Sequence, residues 1–303
     1  MRIGLSMIVK DEAAGIVRTL ESCRDLVAVW DIVDTGSTDG TRVLIEQTMA
    51  DIPGQLYQLP FVDFSSTRND ALRLARGDWV LLVSGDEVVT ADRRALQDFL
   101  QHSENAEHDA RVRHGDLEFG QVRLVRPGAE YEGLCHERVV PRDLGCCAPL
   151  RVQAKPSWSL AKLKRDLAWL TGGCTERDLF YLAQTLQCLG RLEDAAFHYA
   201  ARGAWRSGDS DEWWLALLRA GELGDARCAG QAAVERSWRP EAWLQLARWA
   251  LVEGDLSYAG HCLVTAEQCP PVRDRGPTDW RVRKKIAAER LALAHARLGS
   301  ERK

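Results

Sequence analysis

Apolar residues follow two rhythms along this chain, and the change between them divides it. In the first part, short apolar runs at 3–9, 29–33, 55–62 and 78–83 have strand length. Between them, 13–26 carries Ile16, Leu20 and Cys23 at helical spacing, and 41–50 and 67–75 also read as helices. Strand and helix in alternation predict α/β layers on a mostly parallel sheet. Ligands of such sheets bind beyond the carboxyl ends of the strands. Two of the predicted strands run there into acidic loops, Asp34-Thr35-Gly36-Ser37-Thr38-Asp39-Gly40 and Ser84-Gly85-Asp86-Glu87.

From 122 to 140 the pattern breaks into short extended pieces, and a Pro- and Gly-containing stretch at 141–156 reads as a linker. Helical periodicity then continues to the end and repeats itself. Leu179, Leu182, Ala183, Leu186, Gly190, Ala195 and Tyr199 recur as Trp243, Leu246, Ala247, Ala250, Gly254, Ala259 and Leu263, with a degenerate copy through Gly224. The glycines at 190, 224 and 254 are 34 and 30 residues apart, the period of stacked helix–turn–helix units of tetratricopeptide type. The expected domains are therefore 1–145, α/β; 146–175, linker and first helix; and 176–303, helical repeats. Nine of the eleven tryptophans lie beyond residue 150, a composition shift that agrees with this division.

Composition narrows the function classes. The formal net charge of −4 gives no global basic field for a nucleic-acid partner. The longest strongly apolar run of the first part, Trp79 to Val83, is far too short for a membrane span. Charges at Lys10, Asp11 and Glu12 come too early for a secretory leader, so a cytoplasmic protein is expected. Nine scattered cysteines without a C-x-x-C pair read as reduced structural thiols. The basic cluster Arg281, Arg283, Lys284, Lys285, Arg290, Arg297, Arg302 and Lys303 is interspersed with Ile286, Ala287, Leu291 and Leu293, which reads as the solvated face of a last helix.

Five motifs carry chemistry: Leu5-Ser6-Met7-Ile8-Val9-Lys10-Asp11-Glu12, the loop from Ile32 to Thr41, Asp63-Phe64-Ser65-Ser66-Thr67-Arg68-Asn69-Asp70-Ala71-Leu72, Gly77-Asp78-Trp79-Val80-Leu81-Leu82, and Tyr131-Glu132-Gly133-Leu134-Cys135-His136-Glu137. In this order and spacing they resemble family 2 glycosyltransferases, in the subgroup fused to tetratricopeptide repeats. The resemblance implies a GT-A (Rossmann-like) nucleotide-sugar-binding domain followed by an all-α tetratricopeptide-like domain. It implies an enzyme that moves a sugar from a nucleotide diphosphate, expected to be a UDP-hexose, to an acceptor with inversion. One branch of the family modifies peptide side chains. A peptide or protein acceptor is therefore expected first, a glycan next, and a hydroxymethylated DNA base third.

Residue by residue, the resemblance assigns Glu12, Asp34 and Asp39 to the nucleoside. Carboxylates at strand ends can accept hydrogen bonds from base N–H groups and ribose hydroxyls. Asp39 has a second reading, as a cap for the helix that starts at Thr41. Arg68 is a candidate for the diphosphate, because a guanidinium fork matches phosphate oxygens. Where the family has Asp-x-Asp, this chain has Ser84 and Asp86. Ser84 belongs to the donor site, and Asp86 remains as the expected catalytic and metal-binding carboxylate for Mn²⁺ or Mg²⁺. Glu87 points to the other side of an extended segment. Glu137 is the expected general base, and His136 a metal ligand or phosphate partner. The rival reading, favoured by Ser84, is a catalytically inactive GT-A domain that serves with its repeats as a binding scaffold. The sugar, the acceptor and any homo-oligomer are left open.

Overall fold

The computed structural model describes the chain except residues 116, 141, 155–158, 174, 272–277, 280 and 301–303. It divides into two compact units, 1–157 and 158–303.

The first unit is built on β1 (Ile3–Val9), β2 (Val29–Asp34), β3 (Gly54–Gln58), β4 (Trp79–Leu82), β5 (Glu87–Thr90), β6 (Glu107–His114), β7 (Leu117–Val125) and β10 (Leu144–Ala154). The strands run in the order β3-β2-β1-β4-β7-β6-β10-β5. β1 to β4 are parallel to one another, β7 is antiparallel to β4 and β6, and β10 lies parallel to β6 and antiparallel to β5. Every residue of β2 and β4 is buried, as befits central strands covered on both faces. Successive side chains of β4 serve opposite faces: Trp79 and Leu81 join the core with Leu5, Met7, Ile16 and Leu20, whereas Val80 and Leu82 join Val125, Ala129 and Val139. Helices α1 (Ile16–Cys23), α2 (Thr41–Thr48), α3 (Phe64–Leu74) and α4 (Arg93–Gln101), and a small hairpin of β8 (Tyr131–Glu132) and β9 (Arg138–Val139), complete the unit. This is the expected GT-A-like architecture.

Three boundaries differ from expectation, each for a local reason. α3 begins at Phe64, three residues early, because the Asp63 carboxylate accepts the Ser66 N–H at 2.7 Å and caps the helix. The stretch expected to be linker contains β10; its Pro149 falls within the register shift between Cys146 and Arg151, where a ladder donor is not needed. β6 escaped the apolar pattern because Glu107, His108 and Asp109 are buried polar residues. Both Glu107 oxygens are taken by Arg142 and by the Arg142 and Asp143 amides.

The second unit holds α5 (Leu160–Leu170), α6 (Glu176–Cys188), α7 (Leu192–Ala204), α8 (Ser210–Glu222), α9 (Ala226–Glu235), α10 (Pro240–Glu253), α11 (Leu256–Gln268) and α12 (Val282–Ser300). Each helix from α5 to α12 packs on its successor, and α8 also touches α6 and α10, the nearest-neighbour order of a helical repeat stack. Gly190, Gly224 and Gly254 fall after α6, α8 and α10 with φ of 77°, 112° and 79°, so the turn of each pair is a left-handed residue that favours glycine. Trp213 and Trp214 are core residues, and their indole N–H groups reach the Gly203 and Ala232 carbonyls. Among the described residues the exposed tryptophans are Trp205, Trp238 and Trp249. Of the basic cluster, Arg302 and Lys303 lie outside the described residues. Among the described residues no helix is long and apolar enough to cross a membrane.

Candidate functional site

The carboxyl ends of β1, β2 and β4 bring together the loops that close the first, second and fourth motifs. Asp34 closes β2 with its side chain fully buried. One carboxylate oxygen accepts the Gly36 and Ser37 N–H groups, both at 3.0 Å, which folds the Gly-Ser turn around it. The other oxygen, Oδ2, is buried with no hydrogen-bond partner. An unsatisfied acceptor of this kind costs about 1–3 kcal/mol, and a ligand donor would relieve it.

Asp39 plays a different part from Asp34. Its Oδ2 accepts the Ala13 N–H at 2.9 Å, and its Oδ1 accepts the Thr41 hydroxyl at 2.6 Å and the Thr41 N–H at 3.1 Å. The Thr41 hydroxyl in turn accepts the Glu12 N–H at 2.8 Å. The Thr41 hydroxyl bond, and then the Ala13 amide, hold the Asp39 carboxyl below the usual carboxylate range. Asp39 is thus a clasp between the loops after β1 and β2, and its link to Thr41 resembles the cap reading. Asp11 adds a second clasp, accepting the Thr38 N–H at 2.7 Å from a left-handed conformation, φ 53°.

Glu12 carries these loops to the turn after β4. Its side chain lies over Gly85 so closely that a Cβ there would stand 2.8 Å from the Glu12 Cγ. Below the turn, the buried Thr19 hydroxyl donates to the Gly85 carbonyl at 2.8 Å. Glu87 does turn inward: Oε2 accepts the Ser84 N–H at 2.8 Å and Oε1 accepts Arg123 Nη2 at 2.5 Å. Asp86 stands half-buried on the same turn.

Arg68 and Glu137, expected to act separately, form one ion pair. Arg68 Nε donates to Glu137 Oε1 at 2.5 Å, with 17% and 13% of the two side chains exposed. Arg68 Nη2 also reaches Ser84 Oγ at 3.4 Å, and its guanidinium lies 5.5 Å from the centre of the Tyr131 ring. Burial opposes the charge of Arg68, but the Glu137 carboxylate outweighs it and holds the guanidinium above its ordinary pKa. Burial likewise pushes the Tyr131 phenol up, so it stays a neutral hydroxyl. Asn69 fixes the hairpin beside them: its amide accepts the Tyr131 N–H at 2.7 Å and donates to the Tyr131 carbonyl at 2.9 Å. His136, next to Glu137, adopts φ 52°, a region sparsely populated outside glycine.

An unbroken series of contacts therefore runs from Asp34 through the clasped loops, Glu12, Gly85, Ser84 and Arg68 to Glu137. Sequence reasoning missed Thr19, Arg123, Asn69 and Tyr131 as site builders. Asn69 and Tyr131 lie inside recognised motifs; Thr19 and Arg123 carry no sequence signal. Among the described residues no three His, Cys, Asp or Glu side chains converge on one point, so Asp86 and His136 do not form a preformed cage. Glu87 and Glu137 are engaged by arginines. One carboxylate, Asp86, still fits a hard cation held mainly by phosphate oxygens, the mode common for Mg²⁺.

Residues 5–154 match the family model "Glycosyl transferase family 2". The chain is 38% identical over 86 residues to a TPR repeat-containing protein of Synechococcus elongatus, a match that covers 28% of this chain and 21% of that protein. It is 30% identical over 101 residues to an uncharacterized glycosyltransferase of Rickettsia felis, covering 33% of each. The chain thus spans about a fifth of the first relative's length and a third of the second's. The structure of S. aureus TarS 1-349 in complex with UDP-GlcNAc matches at 12% identity and a TM-score of 0.44, covering 90% of this chain and 93% of that one. All the candidate site residues fall inside the matched segment, a glycosyl transferase family 2 domain that makes up just under half of the chain.

Proposed function

We propose that the N-terminal unit binds a nucleotide diphosphate sugar, a UDP-hexose, and transfers the sugar with inversion. The observation that carries this reading is the buried, unpartnered Oδ2 of Asp34 at the end of β2, in contact sequence with Arg68 and Glu137. A base N–H or ribose hydroxyl would satisfy that oxygen. Glu12 and the Asp39 clasp keep the surrounding loops in place for the nucleoside.

Ser84, Asp86 and Arg68 serve the diphosphate end. When bound, Mn²⁺ or Mg²⁺ would be held by Asp86, with His136 as a second ligand or phosphate partner, and would neutralise charge on the leaving diphosphate. In the transfer the acceptor heteroatom bonds to the anomeric carbon. The carbon–oxygen bond to the diphosphate breaks, its electron pair leaves with the diphosphate, and the acceptor proton passes to Glu137. Because Arg68 holds Glu137, diphosphate oxygens that compete for the guanidinium would also loosen the base.

The acceptor is a peptide or protein in the first place, then a glycan, then a hydroxymethylated DNA base; the net charge of −4 disfavours the last. The helical repeats select it, since stacked helix pairs present extended surfaces for large partners. Trp205, Trp238 and Trp249 are exposed tryptophans to substitute. Folded variants that lose transfer while keeping donor hydrolysis support this role; equal loss of both counts against it.

Ser84 and the paired state of Glu137 favour a second reading, an inactive domain that binds as a scaffold. Mass spectrometry of the purified protein with a panel of nucleotide sugars, with and without Mn²⁺, separates the two. Slow hydrolysis of one donor is expected. UDP binding without turnover of any donor or acceptor supports the scaffold.

A further inference from the structure

We propose that Arg123 is a positioning residue of the donor site, acting through Glu87 to set the Ser84-Gly85-Asp86 turn against which the diphosphate is held. The proposal rests on the nucleotide-sugar reading above.

Arg123 lies on β7 and Glu87 at the start of β5, and only 7% and 6% of their side chains are exposed. The guanidinium spans three partners: Glu87 Oε1 at 2.5 Å, Gln121 Oε1 at 2.9 Å and the Leu82 carbonyl at 3.4 Å. It therefore grips the last residue of β4 and the carboxylate beyond the turn at the same time. The second Glu87 oxygen spends itself on the Ser84 N–H. On the far side of the turn, Thr19 holds the Gly85 carbonyl and the Glu12 side chain lies against Gly85. Ser84 N–H and Gly85 C=O are both committed, so the backbone that presents the Ser84 and Asp86 side chains has one conformation. A buried carboxylate stays in such a place only while its cation is present. Removing Arg123 therefore releases Glu87 and, through it, the turn. Support of this kind keeps a binding group within the tolerance that affinity demands.

The turn serves the diphosphate end of the ligand and Asp34 the nucleoside end, so the inference predicts an effect on one half of the ligand alone. The measurement is the affinity of UDP relative to uridine, with Mn²⁺ present throughout. The double variant Arg123→Met/Glu87→Met removes both charges at similar volume and is expected to melt within a few degrees of wild type. Its UDP advantage over uridine should fall about tenfold or more, with uridine affinity unchanged, as expected for loss of one charged anchor. A preserved UDP advantage in the folded double variant overturns the inference and leaves the donor reading standing. Should that variant not fold, Arg123→Lys decides: a single ammonium cannot hold Glu87, Gln121 and Leu82 together, and about a threefold loss is expected. A wild-type advantage in that variant overturns the inference. Wild-type protein that binds neither ligand, or both equally, overturns the donor reading itself and the inference with it.

Discussion

On the side of β1 and β2, carboxylates of the site are held by backbone amides and hydroxyls: one oxygen of Asp34 by Gly36 and Ser37, Asp39 by Ala13 and Thr41, Asp11 by Thr38. On the side of α3, the β4–β5 turn and the β8–β9 hairpin, two of them are held by arginines: Glu137 by Arg68 and Glu87 by Arg123. The first arrangement leaves negative charge in place, because amides stabilise a carboxylate without neutralising it, and a carboxylate has about four lone-pair sites. The second is neutral pair by pair, and its members are freed only by a competitor. One half is ready for donors of hydrogen bonds; the other waits for an anion.

The sharpest way to break this contrast is at Glu137. Glu137→Gln keeps a hydrogen-bond acceptor for Arg68 but cannot take a proton. Sugar transfer should fall about 10²–10⁴-fold, the usual worth of a general base, while UDP still binds. Transfer assays at saturating donor check it, and near-wild-type turnover would remove Glu137 from the base role.

Asp34 probes the other half. Asp34→Ala strips the Gly36 and Ser37 amides of their acceptor and should cost about 1–3 kcal/mol of stability as well as UDP binding. Asp34→Asn can retain the acceptor toward those amides, so it should keep the fold and lose about 10–100-fold in UDP affinity through the lost charge at Oδ2. Calorimetry alongside melting curves separates the two effects. Unaltered UDP affinity in Asp34→Asn would leave the nucleoside without its anchor.

Ser84→Asp restores a second carboxylate to the turn. Mn²⁺ binding in the presence of UDP should tighten by about tenfold, since ligand charge raises affinity for hard cations. Arg68, 3.4 Å from Ser84 Oγ, will draw off part of the gain. No change in Mn²⁺ affinity would place the cation elsewhere.

The smallest effect concerns Asp39, which is exposed. Its folded-state pKa lies below the unfolded value, so its stabilisation is present above about pH 4 and is lost as pH falls through the lower folded value. Wild type should therefore melt slightly above Asp39→Asn at neutral pH, and the gap should close on acidification. A gap that widens in acid would contradict the Thr41 and Ala13 clasp.

Much of this molecule was legible in the chain itself. The continuous apolar runs of β1, β2 and β4 declared buried parallel strands, and the acidic loops marked the carboxyl end of the sheet, where the candidate site residues gather. The 34- and 30-residue spacing of Gly190, Gly224 and Gly254 declared the helix pairs. These features are local, and periodicity and turn chemistry act over a few residues. β6 and β10 stayed hidden because their burial depends on partners: Glu107 is tolerable inside only with Arg142 beside it. The pairing of Arg68 with Glu137, 69 residues away, and of Arg123 with Glu87, 36 away, belongs to the tertiary structure alone. A sequence carries charges but not the distances between them. Which arginine meets which carboxylate was decided when the strand order set β7 against β4, and when the Asn69 clamp drew the β8–β9 hairpin onto α3.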